Sequence, residues 1–597
     1  MRLPRCDSPT NPNNAMTKDK FNWRFCLCCG IFIWFVINPL QGVFTEIQED
    51  EAYYALYGEH LAWGYYDHPP MVGLMTFLSS ILFSGTLGVR FITIVVSCLS
   101  LLVIWRIAQV PEPVEGPSKK EEIADQVRND AKKKEPALFF VLAFSIVMFN
   151  IYGFVTTPDA SLILFTALFL LIYQRYLSEK SWKNALLMGL FMALMVYSKY
   201  HAFLLLGLIV LSNLKLLKDG KFWVACLLAL ALLTPHVLWQ IHADFPSFRY
   251  HLSGRNEAFR WSYFLEYLPN QLLVFNPFMF GAVVYVLIKY RVNNTIERGL
   301  RFILVGFFFF FWLMAFRGHV EPHWTIVCVI PAVVLVYRAA LADEKLRRYV
   351  KWAILPSLLL VVAFRIVLLT PMASRLGFNG KEAYYQAIAK VADDRPVAFQ
   401  GSFQQPALYH YFTGKPSSTL RCYYDRTTQY DLWQFDRDWI GKEVLVCSPI
   451  SGLSTTYQVD GQRFEGFIAE QFQTANRLEA RLVAPKEWIG KTPVVHAGDT
   501  LTLDFTLYNP YDAPVDFGHG QLDMGLRVLF LTTNDFSYVL HKKIGVLEAH
   551  QTYEGQLRAV VGDEVKPGRN RITLGVSDRI AVFATERKGI EIVIERP

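Results

Sequence analysis

Residues 25–44, FCLCCGIFIWFVINPLQGVF, run for twenty positions without a charged side chain and then meet Thr45-Glu46-Ile47-Gln48. A bilayer core takes about 20 apolar residues as a helix. A cleavable secretory signal carries only about 7–15, followed by small residues. The stretch therefore reads as a retained membrane anchor. Further apolar blocks lie near 87–109, 137–155, 160–177, 185–198, 202–214, 222–239, 264–288, 302–316, 324–341 and 352–370, which predicts about eleven spans within a range of 10–13. The segment Met71–Phe83 is amphipathic and is expected to lie in the membrane interface.

Composition agrees. The 597 residues are 53% hydrophobic and 19% charged, against about 45–50% and about 25% in soluble proteins. A wholly soluble chain is excluded, and nine Cys are too sparse for a disulfide scaffold. The net charge of +7 is uneven: residues 371–597 hold 25 basic and 27 acidic side chains, so the whole excess sits in the apolar half. A nucleic-acid partner would want a basic soluble domain, so none is expected. The loops near 1–24, 106–134, 175–183, 215–221, 289–301 and 338–351 hold 27 Lys/Arg, and the alternating loops near 44–90, 153–160, 198–201, 240–262 and 317–323 hold six. Basic loops stay cytoplasmic. An odd number of spans then puts the C-terminal region outside. The charged stretch 111–135 reads as a solvated cytoplasmic linker.

The first outer loop, TEIQEDEAYYALYGEHLAWGYYDHPP (45–70), crowds Glu46, Glu49, Asp50, Glu51, Glu59 and Asp67 beside the bilayer. Its Tyr53, Tyr54, Tyr57, Trp63, Tyr65 and Tyr66 suit an interfacial helix at headgroup level. Asp50 and Glu51 read differently, because desolvation at a membrane boundary raises carboxylate basicity and marks a functional candidate. Asp159 is the one ionisable group of its outer hairpin; the alternative is a helix cap. Outer cations are few: Lys199 in a tight turn between two short spans, Arg249, Arg255 and Arg260 in one loop, and Arg317, His319 and His323 in another. Each can snorkel to headgroups. Together with the acids they suit a site that holds a phosphate next to a general base.

DEAYYALYGEHLAWGYYDHPPMVG (50–73), with TTPDA at 156–160, SKYHA at 198–202 and PHVLWQ and FPSFRYHLSGR between 235 and 255, resembles the polytopic GT-C glycosyltransferases. The similar branch holds the protein O-mannosyltransferases and the undecaprenyl-phosphate-aminoarabinose lipid A transferases. The resemblance covers residues 25–370 and implies a lipid-linked sugar phosphate as donor. It places the role of base, or of positioning the acceptor, on Asp50, and an assisting role on Asp159. Two positions depart: Tyr53 stands where the aminoarabinose transferases have Arg, and His68 where they have Lys. The resemblance thus extends to the reaction class and not to that sugar or to lipid A. A His beside phosphate can still donate, with a charge set by pH.

The expected architecture is a polytopic α-helical GT-C membrane protein with an extracytoplasmic α/β plus β-sandwich region. Residues 1–23 form a cytoplasmic tail, 24–370 the transmembrane domain, 371–455 a small α/β domain and 456–597 a β-sandwich. In the α/β part, Lys381–Ala392 and Gln405–Phe412 read as helices, and Pro396–Gln400 and Val444–Cys447 as strands. From about 455, alternating runs with Gly/Pro/Asn turns read as a sandwich. Cys422 and Cys447 permit a disulfide if their Cα atoms come within about 7 Å. No Rossmann fingerprint or P-loop is visible, so no nucleotide-sugar site is expected.

The expected function is transfer of a sugar from a polyprenyl phosphate to a hydroxyl on a glycolipid, lipid A, a polysaccharide or a protein, at the outer face of the inner membrane. Asp50 and Asp159 are the expected catalytic acids; Glu51, His68, Lys199 and Arg255 are the expected donor-phosphate and substrate ligands. No metal is expected to be obligatory, and a divalent ion stays open. The competing classes are a transporter of lipid-linked saccharide and a non-catalytic assembly subunit. Transporters usually place ionisable groups at mid-membrane between repeated halves, whereas these acids lie in outer loops.

Overall fold

The computed structural model describes residues 23–109, 134–252, 259–292, 294–420, 426–518, 521–532, 536–579, 582–584 and 589–596. Arg255, Cys422 and nearly all of the charged stretch 111–135 lie outside them.

The described residues contain six helices long and apolar enough to cross a membrane: Trp23–Phe44, Gly85–Gln109, Pro158–Ser178, Gly220–His242, Pro322–Ala342 and Glu344–Val367. The expected span 264–288 is instead a pair, Trp261–Phe275 and Pro277–Lys289, bent by 102°. The bend has a local cause. Asn276 adopts φ +69° ahead of Pro277, and its side chain caps the second helix at Phe278 N (3.1 Å). Its amide also donates to Ser145 O (3.2 Å) and Ser357 Oγ (2.7 Å), so the polar groups freed at the break are paired inside the bundle. The block 137–155 is likewise divided, into Pro136–Ser145 and Val147–Ile151. Trp182–Ser198 and His201–Ser212 are short helices that meet at Lys199-Tyr200, as the sequence suggested. Among the described residues, six helices, or seven with the bent pair counted as one span, are long and apolar enough to cross a membrane, and the blocks at 137–155, 185–198 and 202–214 form shorter apolar helices packed among them. One continuous core joins these elements, from Trp34 to Ile354.

The two ends of the bundle sort the loops as the charge count did. At one end, Lys180 pairs with Asp219 (2.7 Å), Arg338 with Glu297 (3.0 Å) and Arg347 with Glu135 (2.6 Å), which joins the basic loops to one another. At the other end, Glu51, Thr156 and Arg90 meet, as do Asp159 and Lys199. The C-terminal half sits at this second end: Asn379 accepts from Glu46 N, and Lys381 donates to Gln48 Oε1.

The C-terminal half has two layers of its own. A five-stranded mixed sheet runs Ser417–Leu420, Val397–Gln400, Val444–Cys447, Gln462–Ala469, Thr455–Val459, the first three parallel. The helices Lys381–Ala392 and Gln404–Thr413 match their predicted bounds within one residue and pack on this sheet. Here the expected boundary at 455 moves. Thr455–Val459 and Gln462–Ala469 pair with the α/β sheet, so the sandwich starts near Glu479. Strand propensity tells that a segment is extended, not which sheet takes it. The sandwich packs the three-stranded sheet of Thr552–Val560, Thr500–Tyr508 and Glu479–Val483 over a larger one built on Gly525–Leu531 and Gly568–Ser577. Leu503 and Phe505 face Val528 and Leu574 in its core.

The first outer loop departs most from expectation. Glu49–Glu59 is a helix, but Tyr53, Tyr54, Tyr57 and Tyr65 are buried and do not lie among headgroups. They join one core with Tyr385, Phe399, Phe403 and Tyr430 of the α/β domain. Tyr53 stacks on Phe403 (4.2 Å), and Gln429 N donates to the Tyr53 hydroxyl (2.6 Å). Of the six aromatics, Trp63 alone is exposed. On its other side the helix lies against Met71–Leu82 so closely that a Cβ on Gly58 would stand 2.6 Å from Thr76 Oγ1 and 2.8 Å from Phe77 N.

Candidate functional site

The site is built where three chain segments are pinned to one another. Arg90, fully buried in the Gly85–Gln109 span, donates to the carbonyls of Gly42 (2.7 Å), Thr45 (2.6 Å) and Glu46 (3.0 Å) and to Glu51 through Nε (2.8 Å) and Nη2. Glu51 also accepts from Gln48 N (3.2 Å) and from Thr156 N (2.9 Å). One ion pair therefore ties the end of the first span, the outer helix and the Thr156-Thr157-Pro158-Asp159 hairpin. An isolated charge in this setting would cost several kcal/mol; here the remaining donors and acceptors are all paired. Glu51, expected as a substrate ligand, is paired with Arg90 and also borders the cavity that Asp50 lines. It positions Asp50, its neighbour.

Asp50 and Tyr54 lie one helical turn apart on the outer helix. Asp50 opens on a cavity of about 340 Å3 lined by Gln48, Glu49, Tyr152, Val155, Thr157 and Gln404. Asp50 is exposed toward this opening; the protein atoms crowded around it, then the nearby Asp67 charge, raise its pKa to about 6, against the opposing pull of Arg426. A carboxylate poised there can accept a proton from a hydroxyl near neutral pH.

Asp159 is the second residue of its helix, after Thr157 at the cap position, so the capping alternative does not describe it. It is buried, and both its oxygens accept from Lys199 Nζ, at 2.9 and 2.8 Å. The short helices on either side of Lys199 make this contact: their junction drops the ammonium against the start of the Pro158–Ser178 helix. Asp50 and Asp159 stand on two of the segments that the Arg90–Glu51 pair ties together, the outer helix and the Thr156 hairpin. Lys199 arrives with its charge already balanced by Asp159.

His68 is there too, in a different state from that expected. Burial, then the charge of Lys199, hold its pKa well below 6.5. Its Nε2 sits 3.1 Å from the Tyr54 hydroxyl. Loss of water disfavours its charged form, and the ring is placed to share a hydrogen bond with Tyr54. Arg249 pairs with Asp244 at the surface (2.5 Å), Arg260 is exposed over the Tyr263 ring, and His319 lies 3.8 Å from Glu321.

Two residues that hold this region together, Arg90 and Arg426, escaped the sequence reading. Arg90 had a signal, since it alone of the Lys/Arg in 44–90 opens an apolar block, and an ionisable group at that depth needs a partner. Arg426 had none: it sits 359 positions from Asp67, whose carboxylate it reaches at 3.2 Å. Among the described residues no three His, Cys, Asp or Glu side chains gather as a metal site would require.

Residues 126–239 match the family described as dolichyl-phosphate-mannose-protein mannosyltransferase. No curated protein matches the chain. Among solved structures, ArnT from Cupriavidus metallidurans bound to undecaprenyl phosphate superposes with a TM-score of 0.51 at 14% identity, over 74% of this chain and 97% of that one. The same protein in the apo state gives 0.51 at 12% identity, again over 74% and 97%. The archaeal oligosaccharyltransferase AglB from Archaeoglobus fulgidus gives 0.41 at 11% identity, over 97% and 99%. The shared architecture is the GT-C glycosyltransferase fold.

Proposed function

We propose that this chain, a multi-pass membrane protein with the GT-C glycosyltransferase fold, moves a sugar from a polyprenyl-phosphate donor to a hydroxyl acceptor on the outer face of the inner membrane. The observation that carries this reading is Asp50: a carboxylate with a raised pKa, open to a cavity of small-molecule size, beside the buried Asp159–Lys199 pair. The apolar bundle lets a prenyl tail remain in the bilayer while its head reaches the outer loops.

The chemistry follows from the groups in place. The acceptor oxygen attacks the anomeric carbon and its proton passes to Asp50. The bond from that carbon to the phosphate oxygen breaks, and the electron pair leaves with the phosphate. Attack opposite the leaving group inverts the anomeric centre. Asp159 holds Lys199 in place, and the ammonium and His68 face the developing phosphate charge.

The test is transfer of labelled sugar from polyprenyl phosphate in proteoliposomes. Lipid crossing the bilayer with its glycan unchanged would favour a transporter instead. The assay also carries a pH prediction. A base must be deprotonated to act, so kcat/KM should rise with pH through about 6 and level off above it. A profile flat from pH 5 to 8 would remove Asp50 from the base role.

Sidedness has its own test. Asp159 and Lys199 are buried, so their own labelling would report burial instead. Exposed Ile489 of the outer domain and exposed Lys180 of a basic loop are suitable positions. In a Cys-free background with a permeabilised outer membrane, an impermeant maleimide should label a Cys at 489 and spare one at 180. The reverse pattern would place the site in the cytoplasm.

A further inference from the structure

The cations gathered around Asp50 differ in how firmly they are held. Arg90 is fully enclosed by Glu51 and three carbonyls. Lys199 is gripped by both oxygens of Asp159. Arg426 belongs to the outer domain and keeps a third of its side chain exposed. Its Nη2 meets one oxygen of Asp67 at 3.2 Å, longer than the roughly 2.7–2.9 Å of a tight charge-assisted bond. The other Asp67 oxygen is taken by the Tyr57 hydroxyl at 2.7 Å. Nη1 donates to the Tyr250 hydroxyl at 2.6 Å. The guanidinium plane lies over Phe403 (4.9 Å) and Tyr250 (5.4 Å), which fixes its orientation from both domains. Its charge acts on Asp50, His68 and Tyr53.

We propose that Arg426 binds the donor phosphate and stabilises the leaving group, so that the outer domain completes a site otherwise built by the membrane domain. This inference rests on the polyprenyl-phosphate reading above. A sugar phosphodiester carries one negative charge. When the bond to the anomeric carbon breaks, the electron pair stays on the phosphate oxygen and the leaving polyprenyl phosphate gains a second. Among the described residues, Lys199 is balanced by Asp159 and loss of water disfavours the charged form of His68, whereas Arg426 is a cation held loosely enough to take up that charge. A guanidinium offers a planar fork suited to phosphate, and a loose contact with Asp67 is one that a phosphate can displace. Because the charge grows during the reaction, the stabilisation is larger in the transition state than in the bound donor and shows in kcat.

The experiment measures binding of undecaprenyl phosphate to the purified full chain in detergent, alongside turnover and thermal unfolding. Arg426→Gln should weaken that binding by about 10–100-fold, the range for a hydrogen bond to a charged group, and lower kcat more than it raises donor KM. Arg426→Lys should recover part of the binding. Asp67→Asn keeps an acceptor for Tyr57 but releases Arg426, and should tighten undecaprenyl phosphate binding. A merely structural pair would predict weaker binding in Asp67→Asn as the joint loosens. Wild-type protein that fails to bind undecaprenyl phosphate would overturn the donor reading itself. Wild-type binding with Arg426→Gln within twofold of it, or weaker binding in Asp67→Asn, would overturn the role of Arg426 alone.

Discussion

Asp50→Asn should fold normally and lose turnover by about 100–10,000-fold, the usual contribution of a positioned general base. The amide keeps the shape of the carboxylate and cannot take the acceptor proton. Thermal unfolding separates loss of chemistry from loss of fold, and the sign of its change can be stated. Asp50 has its folded pKa raised to about 6 from the ordinary 3.8. Such a carboxylate favours the folded state when protonated; that contribution is fully present below the unfolded pKa and is lost as pH rises through about 6. Asp50 is exposed, so solvent screens most of this effect; at pH 7 its ionisation opposes folding weakly, and Asn removes that small opposition. The variant should melt no lower than wild type at pH 7, and the difference should shrink toward pH 4. Full turnover in Asp50→Asn would transfer the base role elsewhere; a melting point well below wild type would mean that the carboxylate is structural.

Arg90→Met should destabilise the chain by about 3–5 kcal/mol, the cost of leaving one member of a buried ion pair uncompensated. Glu51 would keep Gln48 N and Thr156 N as donors but lose its counter-charge, and three carbonyls would lose theirs. The double variant Arg90→Met/Glu51→Leu removes both charges and should recover much of the stability. It should not recover turnover, because the tie from the outer helix, which carries Asp50, to the Thr156 hairpin, which carries Asp159, is gone. Unfolding curves and turnover for the two variants and wild type test this. An Arg90→Met variant within 1 kcal/mol of wild type would show that the pair is dispensable.

Much of this architecture was legible one segment at a time. A charge-free run of spanning length is membrane-embedded whatever its neighbours do, because unpaired backbone polar groups cannot face lipid outside a helix. The alternation of basic loops grouped the loops at 175–183 with 215–221 and at 289–301 with 338–351 as the ion pairs do, because it depends on composition, not on packing. Lys199 between two short helices and Asp159 in its hairpin stood out because charges at such depth are costly and few. The helix Lys381–Ala392 and the strand Val444–Cys447 were legible from local periodicity.

What tertiary structure alone decided are the partnerships across long distances. An amphipathic aromatic helix can bury its rings in headgroups or in a protein core, and nothing local distinguishes the two. The α/β domain settled it by covering Tyr53 and Tyr57. His68 loses enough water to disfavour its charged form, which its sequence context could not show. Glu51 and Asp50 are adjacent acids with the same local surroundings. Both border the cavity, and helix geometry turns Glu51 alone onto Arg90. Thr455–Ala469 reads as strand in either domain, and only the unfilled edge beside Val444–Cys447 assigns it. Arg426 reaches Asp67 across 359 positions. Such a contact is set by how two folded domains meet, and short-range sequence pattern carries no record of it.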